Sequence, residues 1–483
     1  MKLAEWKLAM GRGGATLLRS RMAKAKLLAH PQLLEWANRN AKSGRSPLLS
    51  RRFELLERWA LEARLEYSGG VASKRARLEE KLHRRSIRIQ GRKVTPGEVL
   101  ECLLKREDRS RRQEAYYAED RFFRSVENEV RSLVKERNDL ARSLGYKGFA
   151  EAYLALAGLT PEGLSDLIND LPLARMRAFL KARKDRFLEK TGLGSWFPWD
   201  YYFLHTLETE DKNRGFPTKG MVSEIRAAIR KWGIHSGATG FRIDRAANPF
   251  VGQEFAIDPP RDVRVVVDPK QGQLYYSILF HEMGHAIHSR SVSGESVLLR
   301  NHEFAPSFND LCEGVGGLFE EISASRGWLR TRPHLAKTDL EMARARSVER
   351  SAYRVAELAG IVKCELSLYR DPERDIERDY HEWKTRVLGY DDHDPRSWVD
   401  PFYLDTPLYN RCYLLASLFV PQVMSAVLKD VGGDVWPNDG IGPWLTDNFL
   451  RHGAAVDWLP LVKRATGASL SSRAFSQELR RAS

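Results

Sequence analysis

Leu279-Phe280-His281-Glu282-Met283-Gly284-His285-Ala286-Ile287-His288 decides how the rest of the chain is read. On an α-helix, residues four apart lie one turn apart on the same face, so the imidazoles of His281 and His285 can take two corners of a zinc tetrahedron. Glu282 lies about 100° around the helix axis, beside the position that a catalytic zinc leaves open. A carboxylate there can hold a water and take its proton. Leu274, Ile278, Met283 and Ile287 flank the site and support the helix.

Two downstream glutamates compete to be the third ligand. Glu303 follows His285 by eighteen positions, but Pro306 disfavours a well-formed helix there. Glu313 follows by 28, within Asn309-Asp310-Leu311-Cys312-Glu313-Gly314-Val315-Gly316-Gly317. Asn309 or Asp310 would cap a second helix, Glu313 would stand in its first turn, and the glycines would let it approach the motif helix closely. Glu313 is preferred on this ground, leaving Glu303, Glu320 and Glu321 as surface or outer acids. His288 and Asp310 are expected behind the ligands, since a catalytic zinc keeps one position open.

Outward from the motif the chain reads mainly as helix. Phe122, Phe123, Val126, Val130, Leu133 and Val134 recur at three-and-four spacing, as do Leu164, Leu167, Ile168 and Leu171 after Thr160-Pro161-Glu162. Glu254-Phe255-Ala256-Ile257 and Val263-Arg264-Val265-Val266-Val267 read as strands joined by Asp258-Pro259-Pro260, a small sheet just before the motif helix.

A 483-residue chain with 42% hydrophobic and 29% charged residues is in the globular range, which excludes disordered and fibrous classes. No stretch reaches the roughly 18–20 uncharged apolar residues of a membrane span, and no secretory signal is visible. Cys102, Cys312, Cys364 and Cys412 are far apart with no CxxC pair, so a reducing, cytoplasmic setting is expected. Charge is uneven: residues 1–150 hold 35 of the 78 Lys+Arg and 19 of the 64 Asp+Glu, an excess of +16 that leaves −2 for the remainder. The division expected is a basic helical lobe over 1–155, at the rim or lid of a channel, and a catalytic lobe over 156–483.

His281-Glu282-Met283-Gly284-His285 with His288 and Glu313 resembles the metal site of the thimet oligopeptidase and oligopeptidase F group of zinc peptidases. These are gluzincins related to angiotensin-converting-enzyme-like and carboxypeptidase Taq-like enzymes. Further stretches are similar to that group: Asp258-Pro259-Pro260-Arg261-Asp262-Val263-Arg264-Val265, Arg137-Asn138-Asp139-Leu140-Ala141, and Pro198-Trp199-Asp200-Tyr201-Tyr202. Near the end Gly453, Trp458, Leu461 and Thr466-Gly467 do the same.

The resemblance implies a mainly α fold of two helical lobes around a deep channel, with one zinc ion per chain. It also implies hydrolysis of peptide bonds in short oligopeptides by a monomer or dimer. Tyr409 or Tyr413 would donate to the oxyanion, Tyr403 would touch substrate, and Arg411 would help bind it. The strand edge formed by Gly252, Gln253, Glu254, Phe255 and Ala256 could pair with an extended peptide. The chain departs from the group where Phe402 replaces its usual histidine; His393 lies several residues too early to substitute.

The basic front also allows a reading from another class. In it a metal-bound but catalytically weak protein contacts RNA or another polyanion through Lys74-Arg75-Ala76-Arg77, Arg84-Arg85 and Arg109-Ser110-Arg111-Arg112.

Overall fold

The structure, a computed structural model, describes residues 2–10, 23, 26–43, 46–104, 108–246, 252–294, 296–300, 306–391, 396–400 and 402–482. It is mainly α, as the periodicity predicts. Helix Asp120–Ser143 buries Phe123, Val126, Val130, Leu133 and Val134 along one stripe, each worth roughly 1.5–3 kcal/mol of apolar burial. Phe122 is only partly buried beside them. Helix Pro161–Asn169 starts where its signals place it, with the Thr160 hydroxyl oxygen accepting the Gly163 N–H at 3.0 Å.

One apolar core runs from Leu61 in the front third, through Phe123, Leu204 and Phe280, to Leu479. Some of the basic residues tie the front third to the rest, and others pair within it. Arg51 and Arg58 both bind Asp457, at 2.7 and 2.6 Å. Arg112 binds the fully buried Asp200 at 3.0 Å, and the buried Glu66 takes Arg75 at 2.7 Å and Arg137 at 2.9 Å. Lys74 pairs with Glu136, Arg84 with Glu80 and Arg85 with Glu119. The clusters offered for phosphate contact therefore already have carboxylate partners at most of their cations; Arg75 and Arg112 are buried, whereas Arg77 and Arg84 are exposed.

The small sheet has three strands. Asp262–Val267 is central, parallel to Arg242–Arg245 on one side and antiparallel to Gly252–Asp258 on the other. The first of these neighbours was not foreseen, nor was a hairpin of Ile87–Ile89 with Arg92–Val94. Both pairs are too short to show the period-two pattern. Helix Lys2–Ala9 covers one face of the sheet: Trp6 packs on Phe255 and Val266 and donates from Nε1 to Asp244 at 2.9 Å.

Beside the sheet lies the motif helix, Gln273–Ser291, which packs against helix Pro306–Ala324; helix Asn410–Val431 packs on the latter in turn. Glycines set the first contact. A Cβ on Gly316 would come 2.6 Å from His281 Cε1, and one on Gly284 would come 2.9 Å from Phe319. Asn410–Val431 is long and apolar enough to cross a membrane, which corrects the expectation that no such stretch exists, but 61% of its apolar window is buried inside the molecule.

Candidate metal centre

His281 and His285 leave the motif helix as expected, their rings edge to face with centroids 4.5 Å apart. Across the glycine contact stands Glu313, whose Oε2 is 3.1 Å from His281 Nε2 and 3.9 Å from His285 Nε2. One donor atom from each residue lies within 4.8 Å of the other two, and the three form a metal-capable cluster among the described residues. Two imidazoles and a carboxylate with room for a further ligand are the chemistry of a divalent-cation site, zinc in particular. Glu303 and His393 fall outside the described residues. The way Glu313 is delivered differs from expectation: its helix begins at Pro306, so Asn309 and Asp310 lie inside it and Glu313 is in the second turn. Proline is favoured in a first helical turn, where its missing N–H costs nothing.

The electrostatics are those of a buried anionic cluster. Burial would raise the Glu313 carboxyl, but its hydrogen bond to His281, the nearby charge of both imidazoles and the Tyr409 hydroxyl pull it down to about 2. Burial opposes protonation of His281, yet Glu313 and Glu320 on either side of its ring raise its proton affinity well above normal. A cation and protons would compete for this same pocket. Glu320 Oε1 lies 2.7 Å from His281 Nδ1, the far side of the ring from Glu313.

Glu282 is governed mainly by burial, which pushes its carboxyl up to about 7; His281 and the backbone N–H of Glu254 oppose the shift, and Glu313 adds to it. That N–H belongs to the strand beside the helix. At Gly252 in the same strand a Cβ would sit 2.7 Å from Glu282 Cγ, so only glycine admits this approach. Gly252 and Glu254 are thus placed at Glu282, whereas Phe255, 1% exposed, turns the other way onto Trp6.

Tyr409 donates its hydroxyl to Glu313 Oε1 at 2.6 Å. Tyr413 stacks edge to face on it at 5.4 Å, and burial keeps both phenols neutral. Phe402 lies 5.2 Å from the Tyr409 ring, so an apolar ring occupies this flank of the centre.

Two expected substrate contacts go elsewhere. Tyr403 is 3% exposed, packed by Trp398 and facing Glu365 and Asp400, because the short helix Phe402–Asp405 turns it inward. Arg411 is 1% exposed and binds Asp310 at 3.4 Å and the Leu408 carbonyl at 2.9 Å, so it is a buried structural cation. Asp310 accordingly serves Arg411, and His288 is fully buried in the motif helix.

A cavity of about 450 Å³ opens from His281, Glu313 and Glu320. Tyr201, Tyr202 and Tyr353 line it, together with Arg350 and Arg354 of helix Lys337–Arg370. Sequence reasoning missed these arginines, although their four-residue spacing puts them on one helix face.

No protein-family profile and no curated protein matches the sequence. Solved structures do match the fold. Trypanosoma cruzi metallocarboxypeptidase 1 aligns with TM-score 0.68 and 15% identity over 99% of this chain and 95% of that one. The M32 carboxypeptidase of Deinococcus radiodurans R1 aligns with TM-score 0.65 and 16% identity, over 99% and 94%. A protein described as an oligoendopeptidase F, from Bacillus anthracis str. Ames, gives 0.63 and 16%, over 93% and 81%. At such identity the likeness is one of fold.

Proposed function

We propose that the protein is a zinc-dependent peptidase acting on short peptides. The observation that carries this reading is the convergence of His281, His285 and Glu313 with Glu282 beside them, at the edge of a cavity. Zinc, held by the two imidazoles and Glu313, would supply Lewis acidity for attack on a peptide carbonyl. Glu282, with a carboxyl near neutrality, takes a proton from water and passes it to the leaving amine. Tyr413 offers a neutral hydroxyl donor on the other side, where negative charge grows on the carbonyl oxygen, while Tyr409 gives its hydroxyl to Glu313. Glu320 holds the His281 ring from behind. The likeness in fold to metallocarboxypeptidases and an oligoendopeptidase F supports the reaction class. A cytoplasmic setting and the division near residue 155 remain part of this proposal.

The test is incubation of the zinc-loaded protein with a mixed peptide library, with and without chelator, and mass spectrometry of the products. Cleavage that stops with chelator and returns with zinc is expected. A library left intact at every metal loading removes the reading.

A further inference from the structure

Leu408, next to Tyr409, holds a left-handed backbone with φ +58°, although it is neither glycine nor asparagine. Side chains rarely accept this conformation, and it persists only where the surroundings enforce it. Here both polar groups of the residue are gripped. Its N–H donates to Glu365 Oε1 at 2.7 Å, and its carbonyl accepts from Arg411 Nη1 at 2.9 Å. Glu365 comes from helix Lys337–Arg370 and is fully buried; its other oxygen, Oε2, has no hydrogen-bond partner among the described residues. Arg411 is held in turn by Asp310, one turn before Glu313 on the same helix. The strained residue is thus pinned from two helices, immediately before the tyrosine whose hydroxyl reaches Glu313.

We infer that Glu365 is a positioning residue for the metal centre: by holding the Leu408 N–H it keeps that residue left-handed and so aims Tyr409 at Glu313. The inference rests on the metal-centre reading above. A buried carboxyl is costly, and burial pushes this one up to about 8 against the Leu408 N–H and the cations Arg137 and Arg411. A protonated Glu365 still accepts through Oε1, so the grip does not depend on its charge.

Crystal structures, zinc affinity by chelator competition and peptide turnover should be measured for Glu365→Ala and Glu365→Gln, each also with Tyr409→Phe. Glu365→Ala is expected to move the Tyr409 hydroxyl out of hydrogen-bond range of Glu313 and to lower zinc affinity and kcat at least tenfold. Glu365→Gln keeps an acceptor oxygen and should stay within threefold of wild type. With Tyr409→Phe present, Glu365→Ala should add less than threefold. Tyr409 unmoved in Glu365→Ala, or an equal loss in the Tyr409→Phe background, overturns the inference.

If Glu365→Ala does not fold, Leu408→Ile and Leu408→Met decide. They conserve volume, but only the β-branched side chain is excluded from a left-handed backbone. Ile should displace Tyr409 and Met should not; equal behaviour overturns the inference. The structures remain decisive even if the wild type cleaves no peptide, an outcome that removes the hydrolase reading alone.

Discussion

The Tyr409 hydroxyl donates to Glu313 Oε1 at 2.6 Å while Oε2 of the same carboxylate stands 3.1 Å from His281 Nε2. Tyr409 is therefore engaged with the carboxylate that would bind metal, whereas Tyr413 feels the charges of both Glu313 and Glu282 from beside them. The two phenols should separate on mutation. Tyr413→Phe is expected to lower kcat by about 10²–10³, the usual loss of an oxyanion donor, with KM and zinc content little changed. Tyr409→Phe should weaken zinc binding by roughly tenfold, as loss of an outer partner of a ligand does. Steady-state kinetics and chelator competition distinguish them, and identical profiles for the two variants would refute the division of roles.

Glu282→Gln tests the proton carrier. The amide keeps the shape and the Glu254 contact but accepts no proton, so zinc content should be retained while turnover falls by at least about 10². A variant as fast as wild type would sink the mechanism.

Ligand identity is tested by metal content after dialysis at neutral pH. Glu313→Ala should lose most of its zinc, and Glu303→Ala should keep about one ion per chain. Glu320→Gln should retain zinc with affinity lowered about 10–100-fold, because it removes the charge behind His281. The opposite pattern for Glu313 and Glu303 would make the assignment wrong.

The elements of this centre were legible to different degrees for physical reasons. Helical spacing is local, so the pairing of His281 with His285 could be read directly; of the glycines at 314, 316 and 317, Gly316 meets the motif helix at His281, while Gly314 and Gly317 meet Phe419 and Val420 of helix Asn410–Val431. The tyrosine strip was harder. Residues 402–413 change direction at Leu408, and a left-handed leucine has no sequence signature, so linear spacing could not say that Tyr409 faces Glu313 while Tyr403 turns inward. The burial of Arg411 depends on Asp310, about a hundred residues away, which linear spacing does not show. In the front third composition shows only a net charge, and some acceptors of its arginines, Asp200 and Asp457 among them, lie far along the chain.

One of those pairs predicts acid sensitivity. Burial would raise the Asp457 carboxyl, but hydrogen bonds from Arg58 and Arg51 hold it at about 2, below its ordinary value of 3.8. A depressed carboxyl stabilises the fold above the ordinary value, and that contribution is lost as pH falls from about 4 through about 2. Since the side chain is 33% exposed, solvent screening reduces the gain to about 1–2 kcal/mol. Asp457→Asn should therefore unfold at lower urea than wild type at pH 7, and the gap should narrow between pH 4 and pH 2. A gap independent of pH would refute ionic pairing as its source.

The cavity cations predict which peptides are favoured. Arg350 and Arg354 line the space beside the metal centre, with the Arg354 guanidinium 5.5 Å from the Tyr413 ring. Burial and the neighbouring Arg183 lower the pKa of Arg350, the mark of positive charge held away from water. The cavity is mixed in sign, with Glu320, Glu321, Glu357 and Glu478 also lining it, so attraction for acidic side chains or a free C-terminal carboxylate should be local to Arg350 and Arg354. Of the front third, only Leu104 is among the described residues lining this cavity, so attraction should come from these arginines rather than from the basic excess of residues 1–150. The Debye length falls from about 10 Å at 0.1 M salt to about 3 Å at 1 M, and long-range attraction falls with it. kcat/KM for acidic peptides should decline with salt more steeply than for neutral ones. Arg354→Gln should bring the two slopes together, while reversing the charge of the exposed Lys181 should not. Parallel slopes in the wild type would confine these charges to packing and remove the claim of attraction.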